Sequence, residues 1–223
     1  MNVKTENKPI SRKDSFKAWE DVFQSQEWGK YPPEELIRFI AKNYYKSNNR
    51  DAVKILDIGC GTGACTWYLS REGFSAYGID GSVSAIKRGK KRFAAEALSG
   101  EFIVGDIAKI PYVAESFDCV IDICSIQHNE SVFAQKIVQE CYRVLKKDGL
   151  FFSMLASYGS WTEPFEGKGY LKFYKINDVN QLFKNFSILS SETSERTYCN
   201  RTKKIKHWVV NVKKTLPHDF KID

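Results

Sequence analysis

Residues 54–63, Lys-Ile-Leu-Asp-Ile-Gly-Cys-Gly-Thr-Gly, constrain what this chain can fold into more than any other stretch. A short β-forming run ends in an acid, Asp57, and passes into three alternating glycines, Gly59, Gly61 and Gly63. That order describes a strand feeding a tight turn that starts a helix, where backbone can approach a ligand that a Cβ would hold off. Ala64, Trp67, Tyr68 and Leu69, ahead of Gly73, supply the helix. The expectation is a nucleotide-like pocket at the carboxyl end of a strand.

Two further acids refine it. Ser75-Ala-Tyr-Gly-Ile-Asp80 reads as a second strand ending in a carboxylate, and Glu101-Phe-Ile-Val-Gly-Asp106 as a third. In a parallel doubly wound sheet all such ends face one crevice, so Asp57, the glycine loop, Asp80 and Asp106 should converge. This arrangement resembles the class I S-adenosylmethionine-dependent methyltransferases, over the chain from Val53 to Lys214. The resemblance implies S-adenosyl-L-methionine as cofactor and S-adenosyl-L-homocysteine as product. It implies Asp57, Gly59, Cys60, Gly61 and Gly63 around the methionine part. Asp80, with Gly81, would take the ribose hydroxyls; Asp106, with Ile107, would take the adenine, and Cys124 ends the neighbouring strand.

The rival reading is an NAD-binding domain, since Gly59-Cys-Gly-Thr-Gly-Ala64 also satisfies G-x-G-x-x-A with Asp80 downstream. Asp57 argues against it. A carboxylate in a strand covered on both faces costs several kcal/mol unless paired. A ligand with an ammonium and a sulfonium supplies that partner, and an anionic pyrophosphate does not.

Further along, Ser116–Cys124 reads as a fourth strand whose end, Ser125-Ile-Gln-His-Asn129, faces the same crevice. A helix over Ser131–Lys146 and a fifth strand over Leu150–Leu155 follow, then a short helix N-capped by Asn177 with Val179, Leu182, Phe183 and Phe186 inward. Phe186–Thr193 and Lys206–Lys213 read as two strands, antiparallel because the polar turn Tyr198–Lys203 between them is short. The expected fold class is α/β. It is a single doubly wound, mostly parallel seven-stranded sheet with a C-terminal antiparallel hairpin strand and an N-terminal helical cap. The cap covers residues 1–47 and the cofactor domain residues 48–223.

Two regions lie outside the minimal cofactor fold. In the first, Phe16, Trp19 and Phe23 share one helical face, and Trp28-Gly-Lys-Tyr-Pro-Pro-Glu-Glu introduces a second helix with proline and acids at its start. This segment is similar to bacterial methyltransferases grouped with surface-polysaccharide or secondary-metabolite biosynthesis. In the second, residues 156–175 carry Tyr158, Trp161, Phe165, Tyr170, Phe173 and Tyr174 among glycines. So long a connection suggests an aromatic lid over a substrate, the alternative being a loop packed on its own rings.

Charge and cysteine usage bound the partners. Of the net +7, residues 1–50 carry +3, residues 51–150 carry −1 and residues 151–223 carry +5. The basic ends suit an anionic acceptor or a nucleic acid, or simply a soluble surface. The run Lys87-Arg-Gly-Lys-Lys-Arg92 is expected to face water, because Ile86, Phe93 and Ala97 mark its helix's buried side. Six cysteines without C-x-x-C spacing and three dispersed histidines predict no structural metal. With no signal-peptide pattern in the first fifteen residues and no long apolar run, a soluble, cytoplasmic protein without a membrane span is expected.

The reaction expected is methyl transfer to a small-molecule acceptor, a hydroxyl in the first instance, with His128 as catalytic base because imidazole titrates near working pH. Trp28, Tyr31, Trp161 and Tyr170 are the candidate substrate-binding residues. Cys-Ser-Ile-Gln-His-Asn after the fourth strand is not the Asn/Asp-Pro-Pro-aromatic motif of base-amine enzymes, which argues against DNA. RNA or protein methylation, or cofactor binding without catalysis, are the alternatives.

Overall fold

A computed structural model describes residues 11–161 and 169–215. Its strands are β1 (Lys54–Ile58), β2 (Ser75–Asp80), β3 (Glu101–Val104), β4 (Phe117–Ile123), β5 (Leu145–Ala156), β6 (Ser187–Tyr198) and β7 (Lys203–Lys213). They form one seven-stranded sheet in the order β3-β2-β1-β4-β5-β7-β6. The first five are parallel and β7 pairs antiparallel with both β5 and β6, as the short turn requires.

Helices α1 (Arg12–Ser25), α2 (Glu34–Tyr44), α3 (Ala64–Arg71), α4 (Val83–Ala95), α5 (Ser131–Val144) and α6 (Ile176–Leu182) surround the sheet. Alternate strand residues point to opposite faces, and each face has its own core. Ile55, Ile121 and Phe152 meet Leu36, Phe39 and Ile40 of α2 and Leu69 of α3 on one side. Leu56, Val120 and Phe151 meet Ile137 and Val138 of α5 and Phe183 beyond α6 on the other. Thus α2 belongs to the packed sheet layer, and among the described residues of the expected cap α1 and residues 26–33 reach the cleft.

Several boundaries differ from expectation. β5 starts at Leu145, because its register against β4 shifts between Phe117 and Cys119 and absorbs the Lys146–Gly149 turn. The hairpin strands extend to Tyr198 and from Lys203, the tight connection being made by Cys199, Asn200 and Arg201, all at positive φ. α6 is capped at Lys175, whose N–H donates to Asp178 Oδ2 at 2.9 Å, so Asn177 is inside the helix. Ala97 lies beyond α4 at φ 52° and is exposed.

The charged run of α4 does not simply face water. Arg88 Nη1 donates to the carbonyls of Phe23 (2.8 Å) and Gln26 (2.7 Å), and Arg92 Nη1 to Lys30 O (2.7 Å). These cations tie the end of α1 and the segment after it to the domain. They answer the exposed carbonyls that a helix C-terminus leaves.

The crevice end of β4 is fixed by Asp122, which is fully buried. Its Oδ1 accepts from Ser125 N (2.9 Å) and Ile126 N (3.1 Å), and its Oδ2 from Ser153 Oγ (2.7 Å). Burial raises its carboxyl to about 6 despite those bonds. Asp122→Ala orphans two buried donors, Ile126 N–H and the Ser153 hydroxyl, each costing about 1–3 kcal/mol. Urea unfolding should therefore show a loss of at least about 2 kcal/mol; a loss within a few tenths would mean that the turn after β4 does not depend on this carboxylate.

Candidate functional site

A cleft of about 350 Å³ lies at the carboxyl ends of β1, β2 and β4. That is within the range of small-ligand sites, about 300–1,000 Å³. Its floor follows from the glycine-rich turn. Gly59, Gly61 and Gly63 all have positive φ (62°, 51° and 81°), a region in which side chains are strained. A Cβ on Gly59 would also collide with Ser125 Oγ, whose hydroxyl donates to Gly59 O at 3.1 Å.

Asp57 is 2% exposed, and its Oδ2 accepts from Thr66 N (3.2 Å) and Thr66 Oγ1 (2.8 Å) at the first turn of α3. Burial outweighs those bonds and, with Asp80 and Asp122 nearby, lifts its carboxyl to about 7. Asp80 holds the turn from the neighbouring strand: Oδ2 accepts from Gly61 N (2.9 Å) and Oδ1 from Ser82 N (2.8 Å). Its carboxyl is raised by burial. Two buried carboxyl groups at adjacent strand ends, with no ion pair to either among the described residues, form a floor on which a cationic ligand would favour the ionised form.

Most expected cofactor residues line this cleft: Asp57, Gly59, Cys60, Gly61, Asp80 and Gly81, together with Ile107 and Cys124. Gly63 does not; it is the left-handed N-cap of α3 and makes the turn. Asp106 is also off the cleft wall, because it is bonded to Arg12 of α1, while Gly105 and Ile107 on either side reach the cleft.

Of the expected substrate residues, Trp28 and Tyr31 line the cleft and Trp161 and Tyr170 do not. The Trp161 ring lies by Tyr198 at the hairpin tip, 6.5 Å between centroids. Tyr170 is buried, and its carbonyl accepts from His128 Nδ1 at 2.9 Å. The described ends of the aromatic loop are packed structure. Tyr158 N donates to Tyr174 O (2.9 Å), Tyr174 N to Ala156 O (2.7 Å), and Leu171 and Phe173 bury against Ala156. Residues 162–168, including Phe165, lie outside the described residues.

Among the described residues, α1 covers the cleft. A Cβ on Gly81 would lie 2.5 Å from the Phe16 ring, and one on Gly61 would lie 3.1 Å from that of Phe23. Trp19 stands edge-on to His128, with centroids 4.7 Å apart. Glu20 clips the helix down: its carboxylate accepts from the Ser82 and Ser84 hydroxyls, each at 2.5 Å, and these bonds lower its pKa to about 2. The i, i+3, i+7 aromatic face was visible in the sequence, but its target was not. His207 of β7, opposite Ala156, also lines the cleft, and nothing in an alternating strand marks it out.

His128 is held as a neutral imidazole. With Nδ1–H donating to Tyr170 O, Nε2 is the basic position, and burial pushes its pKa down to about 4. It therefore stays uncharged across the physiological range, and its basicity is well below that expected of a free imidazole. Among the described residues no group of three or more His, Cys, Asp or Glu is placed to hold a metal, and no helix is long and apolar enough to cross a membrane.

The raised Asp57 carboxyl sets a pH dependence. The folded chain holds this proton up to about 7 and the unfolded chain only to about 3.8, so deprotonation between those values opposes folding. Asp57→Asn removes that term. Its stability relative to wild type should rise from pH 4 to 7, at up to about 1.4 kcal/mol per unit, and level off above. A wild-type-minus-mutant difference that is flat with pH in thermal unfolding would show that Asp57 titrates normally.

Residues 55–149 match the model of a methyltransferase domain. The chain is 28% identical over 143 residues to YodH, an uncharacterized methyltransferase of Bacillus subtilis, with 64% of this chain and 60% of that protein covered. It is 28% identical over 135 residues to a ubiquinone biosynthesis O-methyltransferase of Actinobacillus pleuropneumoniae, covering 57% of each. The chain thus spans under two thirds of the length of these curated relatives. A SAM-dependent methyltransferase of Methanosarcina mazei shares the fold, with a TM-score of 0.65 at 20% identity over 73% of this chain and 92% of that one.

Proposed function

We propose that this chain, which carries a class I S-adenosylmethionine-dependent methyltransferase domain, transfers a methyl group to a small neutral acceptor, a hydroxyl in our reading. The observation that carries the proposal is the buried acid pair Asp57 and Asp80 around a positive-φ glycine turn, in one cleft with an aromatic roof. The residues fit the cofactor: a cation near Asp57 would relieve an uncompensated buried carboxylate.

When bound, S-adenosylmethionine supplies a methyl carbon already activated by its sulfonium. Asp57 and the Gly59–Gly63 turn would hold the methionine end, Asp80 the ribose hydroxyls, and the segment around Ile107 the adenine. What remains for the chain is to align the acceptor, exclude water and receive a proton. Alignment alone can contribute about 7–11 kcal/mol. Trp19, Phe23 and Trp28, packed edge to face, form an apolar wall for it.

The lining also narrows the acceptor. Arg12 is the one Lys or Arg on the cleft wall, and it is bonded to Asp106 and Asn129, so an anion would find no free cation there among the described residues. This favours a neutral, ring-containing acceptor over a nucleotide sugar or a phosphate ester. The name of the ubiquinone biosynthesis O-methyltransferase relative is in keeping with an oxygen acceptor. His128 Nε2 could take a hydroxyl proton, but with a pKa near 4 it contributes orientation more than basicity.

Asp80→Ala should weaken S-adenosylhomocysteine binding about 10- to 150-fold, the equivalent of about 1.5–3 kcal/mol of charge-assisted hydrogen bonding. Calorimetry with S-adenosylhomocysteine and with NAD is the test. Unchanged affinity in a folded mutant, or preference for NAD, would overturn the assignment.

A further inference from the structure

Arg12, the first residue of α1, is held more firmly than a helix-end arginine needs to be. Its Nη2 pairs with Asp106 Oδ1, its Nη1 donates to Asn129 Oδ1 at 3.0 Å, and its guanidinium lies between the rings of Phe133 (4.5 Å) and Phe16 (5.1 Å). The same Asp106 oxygen accepts from Ala108 N at 2.8 Å. Arg12 lines the cleft and Asp106 does not, although Gly105 and Ile107 do. The guanidinium therefore stands between the cleft and the one carboxylate at the third strand's end.

We infer that Arg12 is a latch on the cofactor site: it occupies Asp106 in the empty protein and must yield it to an exocyclic amine of the incoming purine. This rests on the adenosyl reading of the cleft given above. A 6-amino group offers an N–H donor in place of the Nη2 donor, so the exchange leaves Asp106 bonded. A 6-oxo group offers only an acceptor there and would leave the carboxylate unpaired. Because Arg12 starts α1, its release also loosens the helix whose Phe16 covers Gly81. The remaining tethers, Glu20 to Ser82 and Ser84 and Arg88 to Phe23 and Gln26, keep the far end in place. Arg12 thus couples purine binding to opening of the roof.

The test measures association and dissociation of S-adenosylhomocysteine and its 6-oxo analogue, S-inosylhomocysteine, by stopped-flow tryptophan fluorescence on the full chain. Arg12→Gln should bind S-adenosylhomocysteine about five- to tenfold faster than wild type, with equal or tighter affinity. The wild-type association rate should rise from 50 to 500 mM NaCl as the ion pair is screened, and the mutant rate should stay flat. The ligand carries no net charge at neutral pH, so steering does not produce that trend. Because the empty state is common to both ligands and cancels from the difference of their affinities, preference for the 6-amino ligand should be the same in wild type and in Arg12→Gln, and its absence from both would show that Asp106 does not meet the amine. Helicity and unfolding temperature of the mutant identify loss of α1, and the wild-type salt series does not depend on the mutant's folding. Slower association, or weaker binding with faster dissociation, would make Arg12 a clamp on bound cofactor and overturn the inference. Equal rates in both proteins would reduce the pair to a surface contact. Binding by neither protein would remove the adenosyl reading itself, which separates that failure from failure of Arg12's role.

Discussion

Asp57 accepts two hydrogen bonds from Thr66 and meets no cation among the described residues, so burial keeps its proton on to about 7. Much of the architecture follows from keeping that group at the end of β1. Its neighbours β2 and β4 carry Asp80 and Asp122 at or next to their ends, and these raise its pKa further. Each of these acids is assigned local donors: Asp80 takes Gly61 N and Ser82 N, Asp122 takes Ser125 N and Ile126 N. The donors are the turns themselves, so the carboxylates fix the loops that shape the cleft. A ligand bearing an ammonium would complete the one acid that the protein leaves least compensated.

The roof is joined to this floor by charge rather than by a shared core. α1 buries only Phe23 well, and its other attachments are Arg12 to Asp106, Glu20 to the serines that start α4, and Arg88 to its last carbonyls. Contacts of that kind are modest individually and sensitive to salt. An element held in this way sits at the low-stability end of the molecule, where covers over ligand sites are drawn from. α2, by contrast, places Leu36, Phe39 and Ile40 in the sheet core and does not share that freedom.

What the sequence made legible is what periodicity and punctuation encode. β1, β2 and β3 announce themselves as apolar runs closed by an acid, Asp57, Asp80 and Asp106, and the glycine turn needs positive φ at fixed positions whatever surrounds it. The antiparallel ending follows from loop length alone. The misreadings concern tertiary partners. A charged helix face looks the same whether it meets water or a carbonyl some sixty residues away, and so Arg88 and Arg92 passed for solvated charge. The aromatics of residues 156–175 suggested a lid; of its described residues Tyr170, Phe173 and Tyr174 are buried, and among the described residues the Phe16, Trp19 and Phe23 face of α1 covers the cleft. His207 reached the cleft through β-pairing that no local pattern reveals.

The central claim is that the Asp57 carboxyl is kept for a cationic ligand group, and proton release on binding tests it most directly. Titrating S-adenosylhomocysteine into wild type and Asp57→Asn at pH 6.5, in buffers of different ionisation enthalpy, reports the protons exchanged. The account predicts net release of a sizeable fraction of one proton by wild type, because an ammonium arriving at Asp57 lowers its pKa from about 7. In Asp57→Asn the release should be largely abolished. Binding with the same heat in every buffer for wild type would contradict the account, since Asp57 would then be ionised already or remote from the ligand's charge.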